Sequence, residues 1–165
     1  MARRFRNEIV QKVDGKGRVS IPAPFRRVLE QGDPDWTEGL RPELVLVYGT
    51  AAQNYIEGYT VIAMDAIEDA IEALPYGDDR EEMEMNYSTK SLPMNIDDTG
   101  RIILSPMLIE KLGLDGEAVF AGTGKTFRIW EPKAYAEFVA AREAAMKARG
   151  DGFDLRRVLN KPDGA

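Results

Sequence analysis

The sequence predicts a mixed α+β protein, mainly β, made of two tandem copies of one small unit. Three observations carry this. VDGKGRVSIP (13–22) aligns with IDDTGRIILS (96–105), so that Asp14 meets Asp97, Gly17 meets Gly100 and Arg18 meets Arg101. GLRPELVLVYGT (39–50) is similar to GLDGEAVFAGT (113–123), after a longer loop, QGDPDWTE, in the first half. YTVIAMDAI (59–67) is similar, more loosely, to FRIWEPKAY (127–135). Matched blocks in one order point to a repeat. The 165 residues suffice for one domain or two small lobes sharing a core.

Each unit reads as short strands around a short helix. Glu8–Val13 is a candidate strand ended by Asp-Gly. Asp14 can accept from turn amides, and Gly15 and Gly17 tolerate positive φ. Arg18–Ile21 alternates polar and apolar residues as a half-buried strand does. Pro22 and Pro24 end it, Pro24 suits a first helical turn, and Phe25, Val28 and Leu29 follow at helical spacing up to Gly32. Leu44–Tyr48 and Tyr59–Ile62 are further strands. In the second copy, strand Met94–Asp97, turn Asp98-Thr99-Gly100 and strand Arg101–Leu104 precede Pro106, a helix over Met107–Leu112 and Gly113. Strands Ala118–Ala121 and Phe127–Trp130 complete it.

Longer helices over 64–74 and 133–148 place Met64, Ile67, Ile71 and Leu74, then Tyr135, Phe138, Val139 and Met146, on single faces. The expected organisation is a first repeat with its helix over 5–76 and an acidic, solvated linker over 77–90 containing DDREEME. A second repeat with its helix follows over 91–148, then a mobile tail over 149–165 whose Phe153, Leu155, Val158 and Leu159 could pack on a partner.

Composition prunes the chemistry. With neither histidine nor cysteine, His-based nucleophilic triads, Cys–His sites, disulfides and the usual zinc sites are excluded. No apolar run approaches the roughly 20 residues of a membrane helix, and MARRFRNEIV lacks the apolar stretch of a secretory signal. The expectation is a cytoplasmic protein with no membrane partner, no cofactor, no metal and no small-molecule substrate.

The net charge of −6 argues against nucleic acid, but its distribution does not. Residues 1–30 hold eight bases (Arg3, Arg4, Arg6, Lys12, Lys16, Arg18, Arg26, Arg27) and three acids (Glu8, Asp14, Glu30). Their net of +5 leaves −11 for the other 135 residues. Such an end can bind an anion, or simply be solvated.

GTGKT (122–126) is no phosphate loop: position 119 is Val119 where that motif needs glycine, and a strand-like FRIW follows instead of a helix. Asp97 and Asp98, adjacent on a strand, point to opposite faces, and Asp97 has a turn-capping role matched by Asp14. Trp36, in a polar loop, could stack on a partner. Trp130 alternates with Arg128 and reads as core or interface.

FRNEIVQKVDGKGRVSIPAPFR, IDDTGRIILSP and the FRIW block, with the D-x-x-G-R turn and its sequel occurring twice, resemble the MraZ family of bacterial transcriptional regulators of the division and cell-wall gene cluster. The resemblance covers residues 5 to about 140. It implies tandem AbrB-like (SpoVT-AbrB) swapped-hairpin, double-psi-like repeats forming a small β-barrel with short helices. It also implies a homo-oligomeric ring, a nucleoid-associated location, and binding of repeated sites in double-stranded promoter DNA through D-x-x-x-R turns, here Asp14 with Arg18 and Asp97 with Arg101.

Physical roles follow. The planar forks of Arg18 and Arg101 suit phosphate or the O6/N7 edge of guanine. Asp14 and Asp97, with Gly17 and Gly100, hold the turns. Lys16, Lys12, Arg3, Arg4 and Arg6 would contact phosphates. Arg26 and Arg27 either extend that face or are merely solvated. Residues 86–112 set three bases against three acids, so the second turn is expected to attract DNA more weakly. Two other classes stay open: an antitoxin-like protein-interaction module of AbrB fold, and an enzyme using carboxylates or magnesium, for which no convergent constellation is visible.

Overall fold

The computed structural model describes residues 3–160, and the chain divides into two compact units after Pro132. In the first unit, β1 (Glu8–Lys12), β2 (Arg18–Ser20), α1 (Ala23–Gln31), β3 (Glu43–Val47), β4 (Tyr55–Thr60) and α2 (Val61–Glu72) form the first half. Helix α3 (Asp78–Met83) runs into a π-helical turn (Glu84–Thr89). It is followed by β5 (Ser91–Asn95), β6 (Arg101–Ile103), α4 (Pro106–Leu112), β7 (Glu117–Gly122) and β8 (Thr126–Trp130).

Six strands form an antiparallel sheet in the order β1-β7-β8-β4-β3-β5, and β2 pairs with β6 in a separate two-stranded ribbon. Each half therefore lends its first strand to the other half's hairpin: Glu8–Lys12 lies along Ala121–Glu117, and Ser91–Asn95 along Val47–Glu43. Exchanging β1–β4 with β5–β8 maps the strand order onto its own reverse.

The expected closed barrel is not formed: the outer strands β1 and β5 do not pair, and the sheet is open. The reason is local. Beyond the bridge Val13↔Val19, the first turn carries β2 away from β1 and onto β6, so the strands that could close the ladder satisfy their backbone groups on each other instead.

One apolar core joins both halves. Val13, Val19, Ile21, Phe25 and Leu29 are buried together with their aligned counterparts Ile96, Ile102, Leu104, Leu108 and Leu112. Phe127 is fully buried and lies 5.0 Å from Phe5, 5.3 Å from Phe25 and 5.8 Å from Phe120, centroid to centroid.

Two local expectations change. The strand expected over Tyr59–Ile62 ends at Thr60, because the Thr60 hydroxyl accepts from the Ala63 amide (3.0 Å) and so starts α2. The acidic linker is exposed but helical from Asp78. Asp78, Asp79 and Glu81 occupy the first turn of α3, where the helix dipole favours negative charge. Arg80 ties this helix back by donating to Leu74 O (3.2 Å) and Glu72 O (3.3 Å). GTGKT lies in the β7–β8 hairpin, where the Thr123 amide bonds Thr126 O at 2.9 Å.

Trp130 is buried against Tyr55, 4.8 Å away, whereas Trp36 donates to Leu40 O at 2.7 Å. The second unit contains nearly all of α5 (Pro132–Ala148), in which no residue is buried, and a 3-10 helix at Leu155–Asn160 within the expected mobile tail. The end of that tail, 161–165, lies outside the described residues, as do residues 1 and 2. Among the described residues, no helix is long and apolar enough to cross a membrane.

Candidate nucleic-acid interface

The two D-x-x-x-R turns share one plan of aspartate bonds, to which the second adds a hydroxyl. Asp14 Oδ1 accepts from the amides of Lys16 and Arg18, both at 2.9 Å, and its Oδ2 accepts from Arg18 Nε at 2.6 Å. Asp97 Oδ1 accepts from the amides of Thr99 (2.9 Å) and Arg101 (3.0 Å) and from the Thr99 hydroxyl (2.9 Å). Its Oδ2 accepts from Arg101 Nε at 3.2 Å. The spacing dictates this: an aspartate four residues before the arginine both caps the turn and aims the guanidinium.

These bonds favour the charged carboxylate, so both acids titrate below their ordinary range. For Asp14 the Arg18 amide and then its side chain dominate. For Asp97 the Arg101 amide leads and outweighs desolvation, with Thr99 adding to it. Among the described residues, the terminal nitrogens of Arg18 and Arg101 bond no protein group, and the side chains are about one-third exposed at 36% and 35%.

Glycine is required at the fourth turn position. Gly17 and Gly100 take φ of 81° and 82°, and a Cβ on Gly17 would overlap the Leu104 carbonyl. That close approach is reciprocal. The Leu104 amide donates to Gly17 O (2.8 Å) and the Ile21 amide to Gly100 O (2.9 Å), so each turn braces the strand that follows the other. Gly15 does not use the positive φ open to it.

The register of the ribbon is Arg18↔Ile103, Val19↔Ile102, Ser20↔Arg101. Val19 and Ile102, each 1% exposed, point into the core. By alternation Arg18, Ser20, Arg101 and Ile103 share the opposite, outward face. The two arginines are diagonal neighbours there, about 7–8 Å apart at the backbone. Two turns 83 positions apart in sequence thus present one face.

The other sequence-predicted cations divide into two groups. Lys12 and Lys16 are exposed beside the first turn. Arg6 lies beyond the bend at Asn7, off the end of β1 opposite Lys12, and the strand between spans about 13 Å at 3.3–3.4 Å per residue. Arg3 and Arg4 line a groove of about 970 Å³ with Gln31 and Gly32, at the end of α1 remote from the ribbon, and with Ala63 and Ile67 of α2. Sequence reasoning missed Ser20 and Ile103 as members of the outward face, although their alternation with Val19 and Ile102 carries the signal. It also missed Arg41, which pairs with Asp98. No metal-holding cluster of three or more acids occurs among the described residues.

A family model described as "MraZ protein, putative antitoxin-like" matches residues 91–154. The chain is 47% identical over 167 aligned residues to the transcriptional regulator MraZ of Ruegeria sp. (strain TM1040), with 100% of both chains covered. The counterpart from Ruegeria pomeroyi is 45% identical, again over 100% of both. That of Gluconobacter oxydans is 36% identical, over 92% of this chain and 88% of the relative.

Proposed function

Because the chain belongs to the MraZ family of transcriptional regulators, we propose that it regulates transcription by binding repeated sites in double-stranded promoter DNA through the outward face of the β2–β6 ribbon. The observation that carries this is the placement of Arg18 and Arg101 on one exposed face, each anchored at Nε with its terminal nitrogens free of protein partners among the described residues. A two-stranded ribbon fits the major groove, about 12 Å wide. An arginine held at Nε still offers two N–H groups to guanine O6 and N7, and the 60%-exposed Ile103 suits a thymine methyl. Lys12 and Lys16 supply phosphate contacts around the first turn, while Arg3, Arg4 and Arg6 reach only DNA that extends past the ribbon. The promoter sites are those of the division and cell-wall cluster, and the protein works in the cytoplasm at the nucleoid.

One ribbon neutralises few phosphates, so a single copy binds weakly. A homo-oligomeric ring that presents several ribbons to repeated sites raises the effective concentration of each further contact. The groove beside α2, floored by Ala63, Ala66, Ile67 and Ala70, supplies apolar surface for contacts between copies. The same reading takes the two halves as tandem AbrB-like copies, supported by the symmetry of the strand order.

The test is a gel shift on the promoter fragment with light scattering on the same samples. Arg18→Ala is expected to abolish the shift while leaving the oligomer intact, and unchanged affinity would remove Arg18 from the site. The description of the matching family model as antitoxin-like supports a second reading, a protein-interaction module. Recovery of a stoichiometric protein partner by the full chain, with no DNA preference, would favour it.

A further inference from the structure

The second turn has no lysine corresponding to Lys16, yet the fold brings it cations from the other half of the chain. A pocket of about 300 Å³ beside this turn is lined by Arg26 and Arg27 of α1 and by Arg41, facing Asp97, Asp98 and Gly100. The Arg26 guanidinium lies over the turn itself, since a Cβ on Gly100 would overlap its Nη1. Among the described residues, neither Arg26 nor Arg27 is paired with an acid. Arg41 is paired with Asp98, but their side chains are 54% and 79% exposed, so the pair is weak and open to exchange. Counting Arg101, four guanidiniums meet three carboxylates (Glu30 also lines the pocket), and Asp97 is already committed to its own turn.

We propose that this pocket is a seat for backbone phosphates of the duplex. Arg26, Arg27 and Arg41 would grip the strand next to the second turn, as Lys12 and Lys16 do next to the first. The proposal rests on the DNA-binding reading above and extends it. Planar guanidinium forks match phosphate oxygens, and such contacts set position and salt dependence without reading sequence. The first half of the chain thereby compensates the charge-neutral stretch 86–112 around the second turn, and the two turns become comparable grips despite their unequal sequences.

The test is fluorescence anisotropy with the full chain on the promoter duplex and on a scrambled duplex, from about 50 to 200 mM salt. Relative to the wild type, the Arg26→Gln, Arg27→Gln, Arg41→Gln triple variant is expected to make the slope of log K against log salt shallower by about 2.7, at roughly 0.9 per phosphate contact. Both duplexes should lose affinity alike, with their ratio kept. Arg41→Gln alone, at an exposed position that folding tolerates, should make the slope shallower by about 0.9. Asp98→Asn should raise affinity at low salt by freeing Arg41. An unchanged slope in Arg41→Gln and in a folded triple variant would overturn the phosphate seat and leave the DNA reading standing. A wild type that binds neither duplex would overturn both.

Discussion

Substituting alanine for Gly17 and, separately, for Gly100 tests the interlocked turns, because the structure predicts unequal costs at equivalent positions. Both residues sit near φ +81°, where a Cβ costs roughly 1–2 kcal/mol. At Gly100 the atoms nearest the new methyl all belong to the Arg26 side chain, which can swing away. At Gly17 it would strike the Leu104 carbonyl, a backbone atom, and the strand must retreat. Retreat sacrifices the bond from the Leu104 amide to Gly17 O, worth a further ~1 kcal/mol, and disturbs the buried Leu104. Gly17→Ala should therefore lose about 3 kcal/mol and Gly100→Ala about 1–2. At roughly 2–4 °C per kcal/mol for a chain of this size, calorimetry should find Tm lowered by about 6–12 °C and 2–8 °C respectively. Equal losses, or a larger loss for Gly100→Ala, would refute the argument that a methyl on the first turn strikes backbone and one on the second strikes a side chain.

Three further outcomes are expected. Phe127→Ala should cost about 3–5 kcal/mol in urea denaturation, since it empties the centre of a four-phenylalanine cluster. Arg80→Ala should cost about 1.5–3 kcal/mol, because Leu74 O and Glu72 O lose a charged donor, and hydrogen exchange should rise first in α3. Asp14 and Asp97 titrate below their ordinary value of 3.8 in the folded chain, so their contribution is present at neutral pH and lost as pH falls below 3.8 through the lower folded values. The double variant Asp14→Asn, Asp97→Asn should therefore show a flatter decline of Tm between about pH 5 and 2 than the wild type.

The turns were legible because everything they need is local: an acid, a glycine and an arginine at fixed spacing, followed by an alternating strand. The helix starting at Ala23 and the one ending at Gly113 were legible for the same reason. The open sheet was not, because the partner of each first strand lies in the other half, and periodicity says which face is buried but not which strand is adjacent. The start of α2 turned on one hydroxyl, that of Thr60, inside a run of β-branched and aromatic residues. Counting charge along the sequence grouped Arg3, Arg4 and Arg6 with Lys12 and Lys16, but β1 is extended and separates them by its own length. The reverse holds for Arg41 and Asp98, 57 positions apart in sequence and paired in space.

The central claim is that both turns form one reading face, so the most direct measurement is the effect of Arg101→Gln on discrimination. Anisotropy titrations of promoter and scrambled duplexes should show its preference for the promoter falling about 5- to 150-fold, the equivalent of one bidentate base contact at 1–3 kcal/mol, with Arg18→Gln falling comparably. If Arg101→Gln kept the full preference of the wild type while Arg18→Gln lost it, the ribbon would read DNA with one turn only, and the shared face would be wrong.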